Sequence, residues 1–264
     1  MNNTFDSAAE EYDDDFTYSQ IGIYQRNSVW EYIGEAIGNR KLEILELNAG
    51  TGEDALWFAQ KGHKLLVTDL SDRMLSLAES KIKKAGFKDL VSFQKLDLSN
   101  GLDIYSEQKF DLVFSNFAGL NCLKAKDLKK VFKDAYSLLK PGGELIFVFL
   151  GKFCFWETAY FASKGNLNKA FRRNTDDPVI ANVSGEEVKT WYYSPDDIRE
   201  IADENFQKVG LKSIGTFVPP SYLNKRFKRD SGVLKFFNSL DESIGGEALF
   251  SKLSDHYLIH FKKQ

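Results

Sequence analysis

From Lys41 onward the chain alternates short apolar runs with segments whose apolar residues recur every three or four positions. βαβ crossovers of a parallel sheet leave that pattern in a sequence. The runs Leu42 to Leu47, Leu65 to Thr68, Val91 to Lys95, Phe110 to Phe114 and Glu144 to Phe149 predict strands, being mostly too short and too apolar for surface helices. Between them Asp54 to Gln60, Asp72 to Lys84 and Asp127 to Leu139 predict helices, with Ser71 as N-cap of the second. Lys140-Pro141-Gly142-Gly143 ends the third, since proline cannot continue a helix and glycine takes left-handed dihedrals at the exit. After Phe149 the spacing breaks for about 45 residues. That stretch is rich in aromatics, among them Phe153, Phe155, Trp156, Tyr160, Phe161, Phe171, Trp191, Tyr192 and Tyr193, and reads as a cap inserted into the core. Ser194-Pro195-Asp196 restarts a helix with proline at its first position, and Leu211 to Phe217 predicts the next strand. Tyr257 to Phe261 predicts a final strand that pairs antiparallel. The expected architecture is a doubly wound α/β fold in one domain, 1–264. Residues 1–40 form an N-terminal helical lid, 41–150 the core, 151–194 the cap, and 195–264 the rest of the core with a second insertion at about 219–254.

Composition narrows the function without naming it. A chain of 264 residues with 43% apolar and 28% charged residues buries a substantial core and is not disordered. The formal charge of −3 supplies no basic footprint, which argues against a nucleic-acid partner. Cys122 and Cys154 are the only cysteines, too few for a disulfide framework or a thiolate metal site, and they suit a reducing compartment; the cytoplasm is the expected location and no metal is expected. No apolar run reaches the roughly 18 residues of a membrane span.

The strongest local signal is Glu46-Leu47-Asn48-Ala49-Gly50-Thr51-Gly52, at the end of the first predicted strand and directly before a helix. Glycine there lets a ligand approach the backbone closely. Nineteen positions beyond Gly50 stands Asp69, whose carboxylate can accept both hydroxyls of a ribose. Together they point to a nucleoside-containing cofactor. Gly50-x-Gly52-x-x-Ala55 also satisfies the dinucleotide fingerprint, so a nicotinamide-dependent oxidoreductase stays open on these residues alone.

Further motifs make the chain resemble the class I S-adenosylmethionine-dependent methyltransferases of small-molecule type. Glu46 opens the glycine motif as an acidic residue does in that family, Leu96-Asp97-Leu98 matches its acidic position after the third strand, and Phe110-Asp111-Leu112-Val113 and Leu139-Lys140-Pro141-Gly142-Gly143 look like its fourth strand and the turn before its fifth. The resemblance covers Leu42 to Phe149 strongly and Ser194 to Phe217 more weakly. It implies a Rossmann-like fold, S-adenosyl-L-methionine as cofactor and S-adenosyl-L-homocysteine as its product. The cofactor-binding residues it implies are Tyr12, Arg26, Glu46, Asn48, Ala49, Gly50, Gly52, Asp69, Leu70, Met74, Asp97, Leu98 and Asn116. Phe5-Asp6-x-x-Ala9-x-x-Tyr12-Asp13 resembles the lid that precedes many small-molecule members. One departure is Asn48, where the family usually has glycine; asparagine tolerates left-handed dihedrals better than other side-chain-bearing residues.

Methyl transfer from a sulfonium needs alignment and, for some acceptors, a base. His256 begins the final strand near the ligand crevice and is the histidine candidate, whereas His63 reads as a surface or turn residue and His260 as structural. Glu157 and Tyr160 stand three apart, so a helix puts them on one face where either can meet an acceptor hydroxyl. The cap aromatics read first as packing, with some, Trp156 and Tyr193 among them, facing the crevice. Lys225-Arg226 and Lys228-Arg229 form a basic cluster that reads as a solvated face, with a carrier protein as a weaker reading. Ser115-Asn116-Phe117-Ala118 lacks the proline pair of nucleobase amino-methyltransferases. The expectation is methyl transfer to a small, partly apolar molecule on oxygen, with no membrane partner. A catalytically inactive cofactor-binding module is the alternative.

Overall fold

The computed structural model describes residues 9, 12–102, 107–183, 186–227 and 231–264. Five strands follow the alternation read from the sequence: β1 Glu43–Leu47, β2 Lys64–Asp69, β3 Val91–Lys95, β4 Phe110–Ser115 and β5 Leu139–Leu150. Two more complete the sheet, β8 Phe206–Ile214 and β9 His256–Lys263, and a separate hairpin of β6 Val179–Val183 and β7 Glu186–Thr190 lies within the cap. The seven strands run in the order β3-β2-β1-β4-β5-β9-β8. The first five are parallel, and β9 runs antiparallel to both β5 and β8. This is the Rossmann-like, mostly parallel sheet expected, with its antiparallel strand lying between two others.

Side chains that alternate along each strand feed two cores. Leu45, Leu47, Val113, Leu145 and Phe147 pack on one face with helix α4 (Ala125–Leu138) and helix α7 (Pro195–Ala202). Ile44, Val67, Leu112, Phe114, Ile146 and Leu258 pack on the other, with α1 (Gln20–Ile37), α2 (Glu53–Gln60) and α3 (Asp72–Lys84). The period-2 rule then assigns Glu46 to the face of Ile44, and His256 to that of Leu258, both toward α1.

Caps act where the sequence places them. The Ser71 hydroxyl accepts from the Met74 amide at 3.0 Å at the head of α3, and Ser194 and Asp197 form a reciprocal capping box at the head of α7, with Pro195 in its first turn. Two strands differ from expectation, β5 by beginning at Leu139, five residues before Glu144, and β8. β8 starts five residues before Leu211 because Phe206 is buried in the core and pairs with Lys263, while its exposed neighbours Gln207 and Lys208 conceal it. It ends before Gly215, whose φ of 69° turns the chain. The cap also holds α5 (Phe155–Ser163) and α6 (Leu167–Ala170), and the second insertion holds α8 (Gly232–Leu240). No helix among the described residues is long and apolar enough to cross a membrane.

Candidate active site

The glycine loop leaves β1 in left-handed conformations: Asn48, Gly50 and Gly52 have φ of 47°, 57° and 77°. Asn48 can stand there because its short amide is held at both ends. Its Nδ2 donates to the Asn116 carbonyl at 3.1 Å, and its Oδ1 accepts from Ser115 Oγ at 2.8 Å, tying the loop after β1 to the loop after β4. A Cβ at Gly119 would fall 2.1 Å from Asn48 Cγ, so the glycine at 119 makes room for the side chain at 48. Gly52 is required for a similar reason, since a Cβ there would lie 2.6 Å from that of Ala78 on α3. Asp69, at the end of β2, accepts the Gly50 amide on one carboxylate oxygen at 2.9 Å and the Ser71 amide on the other at 2.8 Å. These two amides fix the orientation of the carboxylate at the end of β2.

Behind the loop lies a buried charge cluster. Glu46 is 1% exposed and its Oε2 has no hydrogen-bond partner among the described residues; the same holds for Nε and Nη1 of Arg26, which is 5% exposed. Arg26 Nε lies 3.6 Å from Asp54 Oδ1, and its guanidinium sits over the rings of Phe117 and Phe16. Asp54 accepts from Trp30 Nε1 at 2.7 Å and from Asn116 Nδ2 at 3.1 Å. Burial pushes the Glu46 carboxyl well above its ordinary range, Asp54 and Asp69 add to the rise, and Arg26 opposes it. Tyr12 closes the cluster: its ring lies 3.9 Å from where a Gly50 Cβ would stand, and burial raises its hydroxyl to about 12. The segment carrying it is pinned through Asp13, which accepts from Thr51 Oγ1 and from Lys81 Nζ.

The remaining implied cofactor residues fall along the same edge. Asp97 caps a short turn by accepting from both the amide and the hydroxyl of Ser99, with Leu98 half-buried beside it. Met74 is buried and Leu70 exposed. Ala49 donates its amide to the Thr68 carbonyl. Phe5 and Asp6 lie outside the described residues.

Residues 44–143 match the methyltransferase domain family. That stretch carries a methyltransferase domain. Its curated relatives include the demethylmenaquinone methyltransferase of Symbiobacterium thermophilum, 28% identical over 171 residues that cover 58% of this chain and 64% of the relative. The tRNA 5-carboxymethoxyuridine methyltransferase of Escherichia coli K12 is 25% identical over 152 residues, 56% of this chain and 57% of the relative. The chain thus spans less than two thirds of the length of either. Among solved structures, the N-methyltransferase NodS of Bradyrhizobium japonicum in complex with S-adenosyl-L-homocysteine superposes with a TM-score of 0.57 at 14% identity, covering 99% of each chain; at that identity the likeness is one of fold.

S-adenosylmethionine, the cofactor of this class, fits the residues of the methyltransferase domain. Its amino-acid end carries an ammonium and a carboxylate, and the buried atoms without partners among the described residues include a carboxylate oxygen on Glu46 and two guanidinium nitrogens on Arg26.

On the acceptor side the loop after β4 holds Phe117 and Ala118 at φ of 43° and 65°, a strained arrangement for a bulky residue. The Phe117 ring meets Phe16 and His256 edge-on, with centroids 4.9 and 5.6 Å apart, so it joins the lid to the start of β9. His256 is buried, with Nδ1 3.1 Å from Asp255 Oδ2. Asp255 Oδ1 accepts from Arg173 Nη2 at 2.8 Å, and the same nitrogen lies 2.9 Å from Glu157 Oε2. Burial alone would raise the Asp255 carboxyl, but His256 and Arg173 hold it well below the usual range. Glu157 behaves alike: burial raises it, and Arg172 and Arg173 overcome that and lower it.

Glu157 and Tyr160, expected on one face toward an acceptor, are engaged by arginines: Glu157 by Arg172 and Arg173, and the Tyr160 hydroxyl by Arg226 at 2.8 Å. Glu157 is 1% exposed, so its carboxylate is an ion-pair anchor within the cap. Tyr193 lies in the main core with its hydroxyl on the Leu123 carbonyl, and Trp156 Nε1 donates to the Phe217 carbonyl, joining the cap to the second insertion. His63 follows the turn into β2, one of the two positions expected for it, but is buried rather than on the surface. Its Nδ1 accepts from the Leu42 amide, and burial with Lys41 and Lys61 lowers its pKa. His260 faces Tyr32 Oη at 3.1 Å. Lys228, Arg229 and the side chain of Lys225 lie outside the described residues. Sequence reasoning missed Asp54, Phe117, Asp255 and Arg173; only Asp255, adjacent to His256, carried a signal.

Proposed function

We propose that this protein transfers the methyl group of S-adenosylmethionine to a small, partly apolar acceptor, on oxygen. The observation that carries the cofactor part of the reading is the buried Glu46 carboxyl and Arg26 guanidinium, each with atoms that have no partner among the described residues, behind the glycine loop. Buried charged groups are costly without partners, and a zwitterionic amino-acid end satisfies both at once, Glu46 taking the ammonium and Arg26 the carboxylate. Asp69 takes the ribose hydroxyls and Asp97 the adenine side.

The cofactor, when bound, supplies a methyl group already activated on a sulfonium. The chain must align the acceptor and manage its proton. His256 stands with Nδ1 3.1 Å from Asp255 Oδ2, and an imidazole with one nitrogen toward a carboxylate offers the other as a general base for a weakly acidic hydroxyl. Phe117 and Phe16 offer apolar faces beside it and help exclude water. The net charge of −3 and the absence of a proline pair after β4 favour a small molecule over a nucleic acid.

The test is incubation of the purified protein with methyl-labelled cofactor against a pooled metabolite extract and, separately, against tRNA. Label in an extractable small molecule, lost in His256→Gln with cofactor affinity kept, is the expected result. Label in tRNA alone would overturn the acceptor class, and cofactor binding without transfer to either would favour an inactive binding module.

A further inference from the structure

Gln25 and Arg26 are neighbours on α1, about 100° apart around the helix, and their side chains meet different surroundings. Arg26 lies against Asp54 and Phe117 on the cofactor side. Gln25 is 1% exposed, and neither its Oε1 nor its Nε2 has a hydrogen-bond partner among the described residues. It lines a cavity of about 270 Å³ between α1 and the second insertion, together with Ser28 and Glu31 of α1, Gly215 after β8, and Asp241 and Glu242 after α8. A buried carboxamide with both ends unanswered is costlier to the fold than an apolar side chain of the same shape. The chain therefore keeps a polar edge here that its own described residues do not use. Gly215 leaves room beside that edge, since a Cβ there would stand 2.7 Å from Gln25 Nε2.

The walls narrow the ligand by their charge. Glu31, Asp241 and Glu242 bring three carboxylates to the cavity, and Lys212 answers Glu31 at 3.2 Å. Asp241 accepts the amides of Thr216, Phe217 and Val218 through both of its oxygens, which fixes the loop after β8 as one wall. Glu242 accepts from Asn238 Nδ2 at 2.7 Å. With carboxylates in excess of the lysine beside them, the walls favour a cation and repel an anion. We propose that this cavity binds a small cation, an ammonium on a short carbon chain that ends in a carboxamide-like edge. The edge pairs with Oε1 and Nε2 of Gln25, and the ammonium lies toward Glu31 and Glu242. The site shares no residue with the cofactor cradle and does not rest on the methyl-transfer reading.

The probe is 3-aminopropanamide, set against two molecules of similar length: succinamate, which puts a carboxylate in place of the ammonium, and butylammonium, which lacks the amide edge. Saturation-transfer NMR is recorded on the full chain at about 10 mM probe, the range in which so small a fragment binds. The expected result is 3-aminopropanamide bound at least about fivefold more tightly than either control. Equal binding of succinamate or of butylammonium, or no signal from 3-aminopropanamide, would overturn the proposal. Gln25→Leu should abolish the signal while the melting temperature of the free protein holds or rises by about 2 °C, because an unanswered buried amide has been removed. A lowered melting temperature in that variant would show that the fold itself uses Gln25, and would equally overturn the site. If Gln25→Leu does not fold, Ser28→Phe decides, since it fills the cavity from a half-buried position on α1; binding should be lost, and binding retained there would place the probe elsewhere.

Discussion

The two ends of the site are built by opposite means. At the glycine loop the contacts are hydrogen bonds from backbone amides and short polar side chains, as in the Gly50 amide on Asp69 and the Asn48 amide on the loop after β4. At the acceptor end they are ion pairs between side chains brought together from afar, as in Arg173 on Asp255, separated by 82 residues. The first kind depends on turn chemistry in the two loops that end β1 and β4. The second depends on the cap and the last strand meeting in register, and concentrates its cost in a few buried charges.

The sharpest way to break that contrast is at the acceptor end. Glu157→Ala leaves Arg173 buried with one partner fewer, and should destabilise the fold by about 3–5 kcal/mol, read by urea denaturation. A loss under about 1 kcal/mol would mean that solvent reaches the cluster and that it is no more than a surface pair. The same experiment has a pH signature. Glu157 and Asp255 are both held below their ordinary values, so the stability they contribute is present above the unfolded carboxyl pKa of about 4 and is lost as pH falls through the folded values. The acid side of the stability profile should flatten in Glu157→Ala.

At the loop end, Asp69→Ala should weaken binding of S-adenosyl-L-homocysteine by about 1–3 kcal/mol in a calorimetric titration, since an ionised acceptor is lost. Global stability should change far less than in Glu157→Ala. An unaltered dissociation constant would remove Asp69 from cofactor binding and leave it as a brace for Gly50 and Ser71.

A smaller effect tests the loop's own departure. Gly119→Ala should weaken cofactor binding by about 1–2 kcal/mol by overpacking Asn48, and Asn48→Gly in the same chain should recover most of the loss. A double-mutant cycle measures the coupling directly. Strict additivity would show that the two loops adjust independently.

The sequence by itself determined the sheet and the glycine loop that leaves its first strand. Short apolar runs, a Ser71 cap and a Pro-Gly-Gly stop are local signals, and they specify strands and helices whose alternation admits few topologies. Glu46, Gly50, Gly52 and Asp69 are legible for the same reason: each sits at a fixed offset from the end of a strand, and the fold carries strand ends to one edge. Phe206 was missed because polar neighbours masked a single buried anchor. Only the tertiary structure decided that Gly119 accommodates Asn48, that Phe117 links the lid to β9, and that Glu157 anchors an ion cluster, because each depends on which distant segments touch. Arg173 shows the limit most clearly. One arginine among the 35 basic residues of the chain looks like any solvated cation until the cap folds over the start of β9, and the burial that makes its charge consequential is a property of the assembled layers.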